Sequence, residues 1–293
     1  MPDTPLPDAM KTVYLSSFCV DFRDYERLEE LIRSCASNDV LLGVELATSW
    51  NYPDFDENLE AQTGRFRGVP VTLHSPFVET CVEAGSEAEQ RMTAMFEKAF
   101  RWYHLFDATS MVVHTHQNAF PPELRAEKQR RSEEVILQTA EWAGREGVCL
   151  TVENVGYPLK KNVLFDQGEY VELIRRLPRE VGALIDTGHA MANGWDIPGL
   201  IETLGDRIRG YHLHNTDEAH DLHRPVYERG WNYSAEQMDD LLRCIHRFSP
   251  DADLILEYAP GPHICRELFD SELRRMRSVW EDQRTAWRPG KEE

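Results

Sequence analysis

The sequence predicts an α/β fold, a single (β/α)₈ TIM barrel, from three observations. Eight apolar, strand-length runs lie at 12–19, 40–47, 69–75, 109–115, 148–154, 181–186, 207–214 and 252–258. They alternate with segments of helical period, and strict β–α alternation implies a parallel sheet. The length of 293 residues suits such a barrel, which often runs to this size as one domain. No GxGxxG follows the first apolar run, so the rival open sheet lacks its phosphate-binding turn.

Along the chain, residues 1–10 carry Pro2, Pro5 and Pro7 and read as a disordered arm. They lack the basic start and apolar stretch of a signal peptide, which points to a cytoplasmic protein. The barrel is expected over 11–285 and a mixed-charge tail over 286–293. Leu28, Leu31, Ile32 and Cys35 repeat at i, i+3, i+4 and i+7 and mark the apolar face of a first helix. The loop from Thr48 to Phe66 holds Trp50, Tyr52 and Phe55, with only a weak helix near 56–63. Met92, Met95, Phe96, Ala99, Phe100 and Tyr103 define the next helix, and Met238, Leu241, Leu242 and Ile245 a later one. Ser86-Glu-Ala-Glu89 and Ser234-Ala-Glu-Gln237 have the spacing of capping boxes that start these two helices. Gly147 and Gly182 fall just before strands, where a helix must end and the chain turn.

Composition narrows the function. Hydrophobic residues make up 41%, enough for a large core, yet no apolar run approaches a membrane span. The six cysteines form no CxxC pair. Cys19 and Cys149 in strand-like runs, with Cys35 and Cys244 on helix faces, are expected as buried thiols rather than disulfides. A net charge of −19 disfavours nucleic acid and other polyanionic partners, whose binding needs clustered Lys and Arg.

The chemistry gathers at strand ends. His74 stands in VTLHSPF, His114 and His116 in MVVHTHQN, Glu153 in LTVENV, and Asp186 with His189 in LIDTGHAM. His212 and His214 follow in YHLHN, and Glu257 in LILEYA. Each of the acids follows apolar residues, which places it at the barrel face that carries active sites. Carboxylates converging on an apolar mouth would be costly, and a bound cation removes that cost. Glu153, Asp186, His212 and Glu257 are therefore the expected ligands of one divalent cation. Three carboxylates and one imidazole suit Mn²⁺ first, with Mg²⁺, Co²⁺ or Zn²⁺ compatible. Glu45, in LLGVELAT, ends the second strand and faces the same mouth. Lys160 and Lys161 either meet a phosphate or form a solvated pair.

The order LHSPF, VVHTH, VENVG, IDTGH, HLHN…DLHRP and LEYAP resembles the xylose-isomerase-like TIM-barrel superfamily. That superfamily holds sugar phosphate isomerases and epimerases, hydroxypyruvate isomerase, inosose dehydratase and the family 2 AP endonucleases of the endonuclease IV type. The resemblance spans roughly residues 12–270. It implies that Glu153 and Glu257 serve as an acid/base pair as well as ligands, through a metal-stabilised enediolate. It also implies that His189 holds a substrate oxygen. The endonuclease branch would use His74, His114, His189, Asp221 and His223 as further ligands in a three-zinc site. Asp221 and His223, with Glu45, are thus candidates for added metal ligands or for partners that orient the ligands.

The chain departs from the family's glycine-rich turn after Asp221-Leu222-His223, where Val226-Tyr-Glu-Arg-Gly230 has one glycine. Candidate substrate contacts are His189, His74, His114, His214, Arg224 and Trp50, the last from the aromatic loop over the mouth. The expected function is a metal-dependent isomerase or epimerase of a small keto-sugar or keto-polyol. Its alternatives are a lyase or dehydratase on a keto-sugar or keto-inositol, and a trinuclear-zinc phosphodiesterase. The expected partner is a small carbohydrate-like molecule, with neither nucleic acid nor membrane. Seven tryptophans leave surface for a homo-oligomer.

Overall fold

The computed structural model describes residues 10, 12–21, 24–36, 40–48 and 54–282. Its strands are β1 (Val13–Ser16), β2 (Leu42–Ala47), β3 (Val71–His74), β4 (Met111–His114), β5 (Leu150–Glu153), β6 (Gly182–Asp186), β7 (Ile208–Leu213) and β8 (Asp253–Leu256). They follow in sequence order around a closed barrel, with β8 returning to β1 through the parallel register Val13↔Leu254. Each lies within, or nearly fills, one of the eight apolar runs.

Period-two alternation sorts the side chains. Val13, Leu15, Val44, Leu46, Leu73, Val113, Val152, Ile185, Leu213 and Leu254 belong to the main core shared with the helices. The opposite set points inward. Its lower members Tyr14, Val112, Leu184 and Ile255 pack as a separate apolar plug, and Gly43 leaves room for the Tyr14 ring, which a Cβ would strike. The upper inward positions are polar: Glu45, His74, His114, Glu153, Asp186 and His212 all fall on this register. A packed floor beneath a polar ring is the layering that places chemistry at the C-terminal face.

Among the described residues the helices are α1 (Tyr25–Cys35), α2 (Phe55–Glu60), α3 (Glu87–Leu105), α4 (Arg125–Glu146), α5 (Gln167–Arg176), α6 (Thr187–Ala192), α7 (Ile197–Leu204), α8 (Ala235–Phe248) and α9 (Arg266–Glu281). The apolar repeat of α1 is buried at Leu28, Leu31, Ile32 and Cys35. The weak second helix is short, six residues pinned by buried Phe55 and Leu59. Ser234 and Gln237 close the expected capping box of α8. The box of α3 closes only halfway: Ser86 accepts the Glu89 N–H, but Glu89 Oε2 takes the Gly85 N–H at 2.6 Å.

Two expectations are corrected. Gly147 does end α4, at φ 72°, but Gly182 ends no helix. It opens β6, where a Cβ would strike the Arg209 side chain, so packing rather than turning requires it. Cys149 is exposed, because β5 begins one residue later and the thiol precedes the packed region. The other expected thiols, Cys19, Cys35 and Cys244, are buried and all six cysteines are free. No described helix is long and apolar enough to cross a membrane.

Candidate metal centre

Neighbouring strand ends bring Glu153, Asp186, His212 and Glu257 together. Asp186 and His212 are register partners on β6 and β7, Glu153 closes β5, and Glu257 follows β8 with its N–H donating to Leu213 O at 3.4 Å. All four are buried. His212 Nδ1 lies 3.5 Å from Glu153 Oε2, 3.8 Å from Asp186 Oδ2 and 3.3 Å from Glu257 Oε2. On its far side, Nε2 lies 3.0 Å from Glu45 Oε2. A carboxylate only accepts, so Nε2 carries the proton there and Nδ1 is the atom turned toward the three acids. Neither His212 Nδ1 nor Glu153 Oε2 has a hydrogen-bond partner. Such orphans in a buried site are costly. Either a second proton on the ring or a cation among these oxygens must relieve them.

The electrostatics agree. Burial opposes charge on His212, yet Glu257, Glu45 and Glu153 push its pKa well above the usual range. Burial likewise opposes charge on Glu153, but His114 and His212 hold its carboxyl well below the ordinary value. Burial raises Glu257, against the pull of His212 and His223. This chain is built to keep positive charge among these acids. The donor set fits a divalent cation, with Glu45 orienting His212 as carboxylates orient metal-bound imidazoles.

A second convergence shares Glu153. His74 Nδ1 donates to Ser75 O at 2.8 Å, which leaves its Nε2 facing His114 Nε2 at 3.1 Å and Glu153 Oε2 at 3.6 Å. His114 Nε2 is itself 3.1 Å from Glu153 Oε2. Two imidazole nitrogens at that distance need a proton or a cation between them. His74, His114 and Glu153 therefore form a candidate ligand group beside that of Glu153, Asp186 and His212.

The remaining residues make an outer ring. His189 Nδ1 lies 3.3 Å from Glu153 Oε1, and its Nε2 3.2 Å from Asp221 Oδ2. His223 Nδ1 donates to Glu257 O at 3.0 Å, with Nε2 3.2 Å from Asp221 Oδ2. Backbone hydrogen bonds in both directions between Asn215 and Arg224 fold this loop back over the mouth. His223 adopts φ 47°, a conformation that non-glycine residues rarely hold and that clusters at functional sites.

Some expected substrate contacts fall elsewhere. His214 shares the face of His212 but is sealed beneath the mouth. Its Nε2 contacts both Asp186 oxygens at 3.1 and 3.0 Å, and its ring stacks on His223 at 4.1 Å. It therefore orients Asp186. Arg224 forks onto Glu228 at 2.8 and 2.7 Å and covers Trp231, so a salt bridge four residues away draws it off the cavity. Trp50 lies outside the described residues.

The cavity over the centre measures about 120 Å³ and is lined by His74, His114, Glu153, His189, Asp221, His223 and Glu257. Sequence reasoning did not single out Phe18, Phe77, Gln117, Tyr157 and Asn162, which line it too. Phe18 and Phe77 pack at 5.4 Å, with Phe77 4.7 Å from the His74 ring. Their signal was an aromatic two or three residues past a strand end. Asn154, next to Glu153, was also passed over. Its side chain donates to Asp186 O at 3.1 Å and accepts the Asp186 N–H at 2.7 Å, tying β5 to β6.

The family model described as xylose isomerase-like TIM barrel matches residues 42–277. No curated protein sequence matches the chain. Structures of similar fold include a D-tagatose 3-epimerase-like protein, with TM-score 0.70 and 15% identity over 92% of this chain and 97% of that one. Another is D-psicose 3-epimerase in the presence of D-fructose, at 0.64 and 16% over 95% and 99%. Endonuclease IV from Thermus thermophilus aligns at 0.56 and 17% over 92% and 98%. At such identities the likeness speaks to the fold.

Proposed function

Starting from the fact that the chain belongs to the xylose isomerase-like TIM barrel family, we propose that it is a divalent-metal-dependent isomerase or epimerase of a small keto-sugar or keto-polyol. The observation that carries this reading is His212 Nδ1, buried without a hydrogen-bond partner and facing Glu153, Asp186 and Glu257. The residues would hold Mn²⁺, and the nearby His74 and His114 raise the imidazole share toward what suits Zn²⁺. When bound, the ion would supply Lewis-acid stabilisation of negative charge on adjacent substrate oxygens.

The chain's own groups do the rest. Glu153 and Glu257 reach the centre from strands on either side of β7. One removes the proton from the carbon beside the carbonyl and the other returns it. Burial opposes charge on His189, but Asp186 and Asp221 push its pKa well above the usual range. As an imidazolium it would donate to a substrate oxygen. Phe18 and Phe77 line the cavity and would limit the water that reaches the proton path.

Proton exchange tests this directly. Metal-loaded protein incubated in D₂O with a panel of keto-sugars and keto-polyols should place deuterium at an α-carbon of at least one, seen by ¹H NMR. Loss of a leaving group after exchange would assign a lyase. Absence of exchange throughout the panel would sink both.

The His74–His114–Glu153 group favours a second reading, phosphodiester hydrolysis with several metals. It requires about three ions per chain and nicking of an abasic DNA duplex. The formal charge of −19 opposes that partner.

A further inference from the structure

The acids and imidazoles of the centre lie deep, while one side of the cavity is built differently. Two loops form it, after β4 and after β5. The second loop is a closed turn. Gly156, at φ 99°, presses against Asn162 O where a Cβ would not fit. The Tyr157 N–H donates to Asn162 Oδ1 at 3.0 Å, the Lys160 N–H to Tyr157 O at 3.2 Å, and Asn193 Nδ2 to Gly156 O at 2.7 Å. His116 Nε2 binds Asn162 O, and the Phe120 N–H donates to Lys161 O at 3.3 Å, joining the two loops.

This turn holds Lys160 at the rim, the only Lys or Arg among the described residues that line the cavity. No carboxylate forms an ion pair with it among the described residues. On the facing loop, Gln117 Oε1 is engaged by His114 Nδ1 at 3.1 Å. Its amide hydrogens are thereby left to donate, and Gln117 too lines the cavity. Lys160 is exposed and Gln117 half-buried, whereas Glu153, Asp186, His212 and Glu257 are buried, so these two residues meet a part of the substrate that lies outside the centre. A neutral sugar end presents hydroxyls that need acceptors as well as donors. A lysine and a primary amide that line one cavity present donors and charge, which match an oxyanion.

We infer that Lys160 and Gln117 form an anion subsite for a phosphate or carboxylate on the far end of the substrate, so that the substrate is an anionic keto compound. The identity of its reacting end rests on the isomerase reading, but the subsite does not.

The test titrates full-length protein with D-ribulose, D-ribulose 5-phosphate, hydroxypyruvate and inorganic phosphate by calorimetry, using wild type, Lys160→Met and Lys160→Arg. An anionic ketose should bind wild type at least about tenfold tighter than the neutral one. Lys160→Met should lower that ratio about 10- to 100-fold, and Lys160→Arg should largely restore it. Tight ribulose 5-phosphate binding assigns a phosphate subsite, and tight hydroxypyruvate binding a carboxylate subsite. Neutral and anionic ketoses binding alike, no anion binding, or a ratio untouched by Lys160→Met would overturn the proposal. Deuterium exchange on the same ligands separates the two claims. Lys160-dependent anion binding without exchange would refute the isomerase and keep the subsite, whereas exchange on neutral ketose with an unchanged ratio does the reverse.

Discussion

His212 shows how much one atom can decide. With Glu45 fixing the proton on Nε2 at 3.0 Å, Nδ1 has no role except to meet a proton or a cation. Glu45→Gln should therefore weaken Mn²⁺ or Zn²⁺ binding about 10- to 100-fold, measured by competition with a chelating dye. Unchanged affinity would show that Glu45 orients nothing. Glu153→Gln and Glu257→Gln should each cut α-carbon exchange by at least about 100-fold, while the circular dichroism spectrum is retained. Residues of this kind were legible in the sequence because an acid or imidazole after several apolar residues can only end a buried strand. His214 was legible as to face but not depth, since only the folded chain shows Gly188 of α6 backing onto its ring. Arg224 is held by Glu228, a partner four residues on that the sequence also displays.

Elements hold these atoms in place, and two of them make sharp predictions. Asp186 caps α6 by accepting the His189 N–H at 2.6 Å, so a helix start and a candidate metal ligand are one side chain. A Cβ at Gly188 would overlap the His214 ring, which Asp186 and the stacked His223 hold fast. Gly188→Ala should cost about 1–3 kcal/mol and weaken metal binding as well; a urea midpoint and metal affinity like those of wild type would refute this packing. On α9, buried Glu272 accepts the Tyr258 O–H at 2.8 Å, one residue past Glu257. Burial, against that bond and one from the Tyr227 N–H at 3.4 Å, lifts its carboxyl to about 7. Between pH ~4.5 and ~7 the folded chain keeps a proton that the unfolded chain has released, so stability falls as pH rises through that window, by roughly 3 kcal/mol at most. Glu272→Gln should flatten the fall in urea unfolding across pH 5 to 8, and an equally steep fall would show that Glu272 is not its source. Helix faces such as that of α1 were legible from periodicity. The fate of Gly182 was not, because the Arg209 side chain that needs the space comes from the next strand.

Over the whole molecule, parallel alternation sets the layering: an apolar plug at the floor, polar ends above it, and helices outside. The barrel order was legible from eight apolar runs, since right-handed β–α units leave few other closed arrangements. The number of ions was not legible, because the same histidines serve as ligands, as partners of ligands, or as substrate contacts according to sub-ångström placement. That number is also what the central claim turns on. Elemental analysis of full-length protein, loaded with Mn²⁺ or Zn²⁺ and then desalted, measures it directly. One retained ion per chain, lost in His212→Ala, is the expected result. No retained ion would contradict the metal centre, and three would contradict the single-ion isomerase in favour of the hydrolase.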